Sequence, residues 1–286
     1  MKTRAKSALL MAPFLIIVFL GGYFLIAGVI LLTLYALKEF SEAFGDKKPA
    51  TWVFWVSTAI LYIGYLIPKI HTYIILPWIF ISIVLCFISM FAMDKRDLMQ
   101  GFTSFIGVFY IIFLAFHIVL VDNMQIIGLE DGFHVPLQGF ANAHALSGLQ
   151  TYVWVVILSA FGTDIFAYFT GMAIGSHKLC PNISPKKTVE GAIGGVLGSV
   201  LLCGLFGLFF LPLGTTNCVI IGIIGGVTSQ IGDLSASVLK RKIGIKDWSS
   251  LIPGHGGVLD RIDSMLFTAP TVFYILMIRA VLFGGA

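Results

Sequence analysis

Charged residues are scarce in this chain of 286 residues: they make up 11% of the sequence, whereas hydrophobic residues make up 58%. Soluble domains contain about 25% charged residues, so this composition excludes a water-soluble fold. Apolar stretches of the roughly 20 residues that a spanning helix needs recur between short polar connectors. The sequence therefore predicts an integral membrane protein without a large soluble domain.

Cysteine is also scarce, and its spacing excludes two further classes of protein. The chain has four cysteines without a CxxC pair, namely Cys86, Cys180, Cys203 and Cys218. Three of them lie in apolar segments, where a thiol behaves as a small hydrophobe, so neither a disulfide framework nor a zinc site is expected. The basic N-terminus and its apolar run lack a small-residue cleavage site before Gly21, and we interpret them as a retained span.

The apolar runs predict an all-α polytopic membrane fold with about nine transmembrane helices. Their approximate bounds are 8–20, 22–38, 51–67, 70–92, 98–121, 148–174, 189–211, 217–239 and 264–283. With a cytoplasmic N-terminus, every Lys and Arg except Lys69 and Arg279 falls on the cytoplasmic side, as the positive-inside rule requires.

The same pattern divides the chain into two membrane regions. Residues 1–147 contain about five predicted helices and end in an outer loop at 122–147 that has acidic residues but no Lys or Arg. Residues 148–286 contain about four, with cytoplasmic loops at 175–188 and 240–262.

Two aspartates interrupt the apolar helices of the second region. Asp164 lies inside the sixth predicted span, and Asp233 lies near the cytoplasmic end of the eighth, in line with Ser237 and Lys240 on one helical face. Charge inside a bilayer is costly and often marks a functional path. We therefore favour a functional role for both aspartates over a structural pairing with a basic residue on a neighbouring helix.

The first inner connector of this region combines basic residues with glycines. Lys186 and Lys187 offer point charges for phosphate, while Thr188 can cap the helix whose positive end attracts anions. A basic inner loop is also what topology alone requires. The glycines that follow have small-xxx-small spacing, for which we prefer a role in close helix packing; they are Gly191, Gly194, Gly195 and Gly198.

The second inner connector indicates a site for a nucleotide and a metal ion. Gly256 and Gly257 permit close approach of a phosphate, and Asp260 and Asp263 stand one helical turn apart. Magnesium binds through one or two carboxylates together with substrate phosphates, so Asp233, Asp260 and Asp263 are candidate ligands. His255 could be a general acid, a phosphate donor or a residue that stabilises the loop.

These residues give the chain a close resemblance to the phosphatidate cytidylyltransferases, or CDP-diacylglycerol synthases. The family signature is S-x-x-K-R-x-x-x-x-K-D followed by P-G-H-G-G-x-x-D-R-x-D. Every fixed position is filled here, from Ser237 to Asp247 and from Pro253 to Asp263. The resemblance covers about residues 148–270, whereas the N-terminal half resembles the family in hydropathy alone.

The resemblance implies that phosphatidate attacks the α-phosphorus of CTP, giving CDP-diacylglycerol and pyrophosphate in a bacterial-type cytoplasmic membrane. It also implies a homodimer and a centre with Mg²⁺ and a second cation, for which K⁺ is one candidate; no nucleic-acid partner is expected. The expected catalytic residues are Asp233, Asp260, Asp263, Lys187 and His255. The expected substrate- or phosphate-binding residues are Asp164, Ser184, Lys186, Thr188, Glu190, Ser237, Lys240, Arg241, Lys246, Gly256, Gly257 and Arg261.

Two alternative functions remain open on the sequence. A CTP-dependent lipid-alcohol kinase, such as a dolichol or phytol kinase, would use the same nucleotide and metal but transfer the γ-phosphoryl group. A transporter would also place Asp164 and Asp233 in glycine-interrupted spans, although it would not need the paired lysines or the GHGG turn.

Overall fold

The structure is a computed structural model that describes residues 14–68, 70, 73–91, 98–124, 152–211, 215–251 and 256–283. Within these ranges the chain is mainly helical, and helix α1 covers residues 14–20. The helices that follow are α2 (Gly22–Glu42), α3 (Thr51–Leu66), α4 (Ile75–Met90), α5 (Leu98–Asp122), α6 (Val153–Ile174), α7 (Val189–Phe210), α8 (Thr215–Ile243) and α9 (Leu259–Phe283).

Six of the described helices, namely α2 and α5 to α9, are long and apolar enough to cross a membrane. Helices α3 and α4 are apolar but shorter, at 16 residues each. A polytopic helical fold is therefore confirmed, while the count of about nine spans and the orientation of the N-terminus stay predictions. The predicted outer loop at 122–147 lies, from residue 125 onward, outside the described residues.

Hydrogen bonds join the helix ends at one side of the bundle. The backbone N–H of Gly22, at the start of α2, donates to Oδ2 of Asp122 at the end of α5 over 2.8 Å. The side-chain amide of Asn123 donates to the hydroxyl of Tyr65 near the end of α3. The start of α2 and the ends of α3 and α5 therefore share this side, as expected for helices that cross the membrane alternately.

A second set of contacts joins the opposite helix ends. Glu39, near the end of α2, accepts a hydrogen bond of 2.8 Å from the backbone N–H of Leu259 at the start of α9. Arg241, in the last turn of α8, donates to the carbonyl oxygen of Ile183 between α6 and α7 over 3.4 Å. The connectors after α2, α6 and α8 therefore lie at one end of the bundle, which is where alternate crossing puts them.

The connector between α6 and α7 is an antiparallel hairpin and so departs from the predicted all-α fold. Strand β1 (Lys178–Cys180) pairs with β2 (Ser184–Thr188), and the turn is closed by a 3.1 Å bond from Ile183 N–H to Cys180 O. The strands are short and contain Pro and adjacent lysines, so they lack the alternating apolar pattern by which a strand is recognised. The sequence therefore predicts a loop over residues 175–188, where the structure has a hairpin.

The last helix begins earlier than the sequence predicted. Helix α9 starts at Leu259 instead of residue 264, so Asp260 and Asp263 both lie in its first turns. Leu259 and Ile262 are buried, and the donor groups at the helix start are satisfied by Glu39, which is remote in sequence. Because the cap comes from another helix, no Ser, Thr, Asp or Asn stands at the capping position before Leu259.

Glycines allow α6 and α7 to pack with their backbones close together. A Cβ atom built on Gly191 would lie 2.8 Å from the carbonyl oxygen of Ala167, and one on Gly195 would lie 2.8 Å from that of Thr163. Real Cβ atoms do not approach backbone this closely, so a side chain at either position would push the helices apart. The predicted packing role of the small-xxx-small glycines is confirmed.

We predict that Gly222→Ala destabilises the α7–α8 interface by about 1–3 kcal/mol. A methyl group at Gly222 would lie 2.7 Å from the Cα atom of Val200, which is backbone and cannot rotate away. The control is Gly204→Ala in the same interface, where the methyl group would lie 3.4 Å from the Val219 side chain. Thermal unfolding in detergent should show a lower midpoint for Gly222→Ala alone, and equal midpoints would contradict the prediction.

Candidate active site

The charged residues that interrupt the apolar sequence of the C-terminal half come together at one end of α6 to α9. Asp164 of α6 lies within electrostatic range of Lys187 on β2 and of Arg261 on α9. Asp263 lies within range of Lys240 on α8, of Asp164 and of Asp260. Including Asp233, the cluster has four carboxylates and three basic groups, and we call these seven residues the charged cluster.

Lys187 and Asp233 form the first ion pair of the cluster. The Lys187 ammonium donates to Oδ2 of Asp233, and both side chains are partly buried. Alternation along β2 separates two neighbouring lysines, because Lys187 is turned toward α8 while Lys186 is exposed. Burial lowers the pKa of the Lys187 ammonium, whereas the nearby charges of Asp164 and Asp263 act in the opposite direction.

Lys240 and Asp260 form a second and more deeply buried pair. Lys240 Nζ lies 2.6 Å from Oδ1 of Asp260, and Lys240 is 8% exposed. The other carboxylate oxygen of Asp260 accepts from the backbone N–H groups of Trp248, at 2.8 Å, and Gly257, at 2.9 Å. Asp260 therefore connects the end of α8 to both flanks of the connector that leads into α9.

Asp263 and Arg261 complete the α9 part of the cluster. Asp263 is 5% exposed, and its Oδ1 accepts from the backbone N–H of Ser264 over 2.8 Å. Nε of Arg261 is buried and has no hydrogen-bond partner among the described residues. A buried donor without a partner is costly, so this guanidinium is suited to an anionic ligand.

The predicted phosphate-binding residues of the hairpin also have structural roles. The Thr188 hydroxyl accepts from the backbone N–H of Gly191 over 3.1 Å and so caps α7, as predicted. The Glu190 carboxylate accepts from the backbone N–H groups of Ser176 and His177. Ser184 pairs with Cys180 across the two strands. A role for these residues in phosphate binding stays a prediction.

The remaining predicted residues differ from one another in exposure and in their hydrogen bonds. Ser237 is half-buried on α8, between Asp233 and Lys240. Arg241 is exposed and donates to the carbonyl oxygens of Ile183 and Ile245, so it joins the hairpin to the α8–α9 connector. Lys246 is exposed. His255 lies outside the described residues.

Gly256 and Gly257 lie against carboxylates. Gly256 has a φ of +80°, and a Cβ atom there would lie 2.7 Å from Oδ2 of Asp260. A Cβ atom on Gly257 would lie 2.6 Å from Oε2 of Glu39. The motif needs glycine at these two positions because the backbone turns sharply between two acidic side chains.

Glu39, a buried carboxylate in the last turn of α2, was not among the residues predicted from the sequence. It is 2% exposed and contacts the two residues that precede Asp260. The predicted second span ended at residue 38, so Glu39 was assigned to a polar connector. An available signal was its position beside Phe40, after a long apolar run in which a carboxylate must find a partner.

The cluster offers carboxylate oxygens to a divalent cation without a complete cage. Among the described residues, no three His, Cys, Asp or Glu side chains are close enough together to hold a metal ion. Magnesium often takes only one or two protein carboxylates and completes its shell with water and substrate phosphates. The pair of Asp233 uses Oδ2 and the hydrogen bonds of Asp263 use Oδ1, so each has a second oxygen for a cation. Both oxygens of Asp260 already have partners, so Asp260 could bind a cation only by giving up its ion pair with Lys240.

Comparisons with known proteins show the family to which the chain is similar. Residues 2–279 match the cytidylyltransferase family. A phosphatidate cytidylyltransferase of Synechocystis sp. is 34% identical over 269 residues, which cover 91% of this chain and 90% of that protein. One from Staphylococcus haemolyticus is 30% identical over 97% of this chain and 99% of its own length. One from Bacillus subtilis is 42% identical over 44% of this chain and 47% of its own length.

We predict that Lys240→Ala destabilises the protein by about 3–5 kcal/mol, because it leaves the buried Asp260 carboxylate without its counter-charge. The matched control is Lys242→Ala, which removes an exposed lysine from the same last turn of α8 and should change stability little. Thermal unfolding in detergent measures both variants. Indistinguishable midpoints would show that the Lys240–Asp260 pair does not stabilise the fold.

Proposed function

The chain belongs to the cytidylyltransferase family, and on that premise we propose that it is a phosphatidate cytidylyltransferase. In the proposed reaction CTP and phosphatidate form CDP-diacylglycerol and pyrophosphate. The observation that carries the proposal is the charged cluster, in which two lysine–aspartate pairs and an arginine with a buried Nε come together among four apolar helices. A reaction between two phosphate-bearing substrates, one of them a lipid, needs this combination.

The main obstacle to the proposed reaction is the repulsion between its two negatively charged substrates. An oxygen of the phosphatidate monoester forms a bond to the α-phosphorus of CTP, while the bond from that phosphorus to the bridging oxygen breaks and pyrophosphate leaves. A phosphate monoester is already anionic near neutral pH, so the protein need not supply a strong base. Its task is to bring two anions together and orient them in line.

Basic residues of the cluster are suited to that task. Lys187 and Lys240 are held by Asp233 and Asp260 in the described structure, and both lysines can turn toward phosphate oxygens when substrates enter. Arg261 offers a planar guanidinium that recognises phosphate through two parallel hydrogen bonds. The ion pairs thus keep these cations positioned before the substrates arrive.

The carboxylates are proposed to bind cations that arrive with the nucleotide. Asp233 and Asp263 would use the oxygens that their own contacts leave available, and Asp260 would join them by releasing Lys240. Bound magnesium would neutralise phosphate charge and stabilise the leaving group. A second cation, for which K⁺ is one candidate, is part of the same proposal.

Position in the membrane supports access to both substrates. The hairpin and the α8–α9 connector lie at one end of the bundle, and their Lys and Arg residues favour the cytoplasmic side by the positive-inside rule. CTP would enter from the cytoplasm while the acyl chains of phosphatidate remain in the bilayer. We further propose a homodimer in a bacterial-type cytoplasmic membrane.

The test uses purified protein, phosphatidate and CTP labelled at either the α or the γ position. The proposed transfer puts the α label into lipid and releases the γ label as pyrophosphate. It should proceed equally in sealed vesicles and in detergent, and it should depend on magnesium. Transfer of the γ label to a lipid alcohol supplied in place of phosphatidate would identify a lipid-alcohol kinase instead. Solute movement in sealed vesicles without consumption of CTP would identify a transporter.

We predict that Asp233→Asn and Asp260→Asn each lower turnover by about a hundredfold or more, because each change would remove a carboxylate that is proposed to hold the cation. Asp263→Asn should also be severe. Initial rates with α-labelled CTP, measured across a magnesium titration, test this prediction. Monodispersity in detergent must be recorded for each variant, and near-normal magnesium-dependent activity in Asp233→Asn would refute the metal assignment.

We predict that Lys187→Ala lowers turnover by about a hundredfold, because a positioned charge that contacts phosphate is lost. Membrane yield should change little. Lys47→Ala and Lys48→Ala are the controls, since both lysines are exposed on the basic connector after α2 and satisfy the same orientation rule. If all three variants have equal activity, the hairpin lysine serves topology alone.

A further inference from the structure

Glu39 is a buried carboxylate that belongs to the N-terminal half of the chain but contacts the start of the last helix. Oε1 accepts from the Ser249 hydroxyl over 2.6 Å and from the backbone N–H of Val258 over 2.9 Å. Oε2 accepts from the backbone N–H of Leu259 over 2.8 Å. Three donors from one short stretch of chain therefore converge on one side chain that is more than 200 residues distant in sequence.

The position of Glu39 explains how its charge can be buried. The first N–H groups of a helix have no partner within that helix, and the helix dipole places positive charge there. Glu39 supplies both the missing acceptor and the opposite charge for α9. Gly257 makes room for it, since a Cβ atom there would lie 2.7 Å from Oε1 of Glu39.

The same segment of α2 also contacts the other flank of the connector. The Phe40 ring packs against Trp248 with 5.5 Å between ring centroids, and both side chains are buried. The backbone N–H of Trp248 donates to Oδ2 of Asp260, which also accepts from Gly257. Glu39 and Phe40 therefore fix the two stretches of backbone whose N–H groups orient the Asp260 carboxylate.

We propose that Glu39 is a positioning residue for the proposed reaction: it caps α9 from another helix and thereby sets the place of Asp260 and its neighbours in the charged cluster. The inference rests on the proposed function for its kinetic consequences. Glu39 does not itself belong to the charged cluster, and it acts through the backbone of residues 257–259.

The variant that tests this role is Glu39→Gln, which keeps the size of the side chain. One oxygen remains as an acceptor, but an NH₂ group must face a backbone N–H, so the cap is lost in part. Glu42→Gln is the matched control, because Glu42 lies three residues further along α2, is exposed, and pairs with the exposed Lys38 at 4.0 Å. An exposed pair of this kind contributes little.

Kinetics with α-labelled CTP distinguish positioning from simple loss of fold. Glu39→Gln should lower turnover by about tenfold to a hundredfold and raise the magnesium concentration that gives half-maximal rate, because Asp260 is displaced. A merely destabilised enzyme would lose rate in proportion to its folded fraction at an unchanged magnesium requirement. That result, or equal behaviour of Glu39→Gln and Glu42→Gln, would overturn the proposal.

Amide hydrogen exchange supplies a readout that does not depend on activity. Glu39→Gln should exchange faster than the wild type in peptides covering 248–251 and 256–263, while peptides of α6 and α7 stay unchanged. Unchanged exchange in the first two peptides would also overturn the proposal. If Glu39→Gln does not yield folded protein, Ser249→Ala removes one of the three donors and should give a smaller increase at 256–263; no increase there would count against the cap.

Failure of the proposed function gives a different result. If the wild type transfers no α label but Glu39→Gln still loosens the connector, the cap is real and the reaction is another one. If the wild type transfers the label and Glu39→Gln behaves as Glu42→Gln does in both measurements, the reaction stands and the positioning role is wrong.

Discussion

An ionised side chain inside this bundle needs either an opposite charge or a set of N–H donors, because an isolated buried charge costs several kcal/mol. Lys240 satisfies this condition through Asp260, and Lys187 through Asp233. Glu39 satisfies it with the first N–H groups of α9. These contacts link α2, the hairpin, α8 and α9. Each buried charge therefore favours the arrangement in which its own helix end packs against the one that carries its partner.

Charge compensation works only because the helices approach each other closely. Gly191 and Gly195 bring the backbone of α7 against that of α6, and this packing carries Asp164 into the electrostatic range of Lys187 on the adjoining hairpin. Larger residues would widen the gap by the size of a side chain. The packing glycines therefore also affect the distance between Asp164 and Lys187, although the glycines are not members of the charged cluster.

The sequence predicted those features of the site that have a local cause. Asp233 and Asp164 were visible because charge is rare in an apolar helix, and the Thr188 cap was visible because capping residue and helix start are adjacent. The start of α9 and the role of Glu39 were not predictable in this way, since each is explained only by the other and they are more than 200 residues apart. Helix pairing, which hydropathy does not encode, was needed to reveal both.

Two glycines of the GHGG motif are explained by contacts with residues outside the motif. The sequence suggested that its glycines admit a phosphate, whereas the structure places Gly256 against Asp260 and Gly257 against Glu39. The contacts with the two carboxylates hold the backbone of this turn in place, while binding of phosphate there stays a prediction. In that arrangement Glu39, from the N-terminal half, contacts the start of the helix that carries Asp260, whereas the seven residues of the charged cluster all come from the other half.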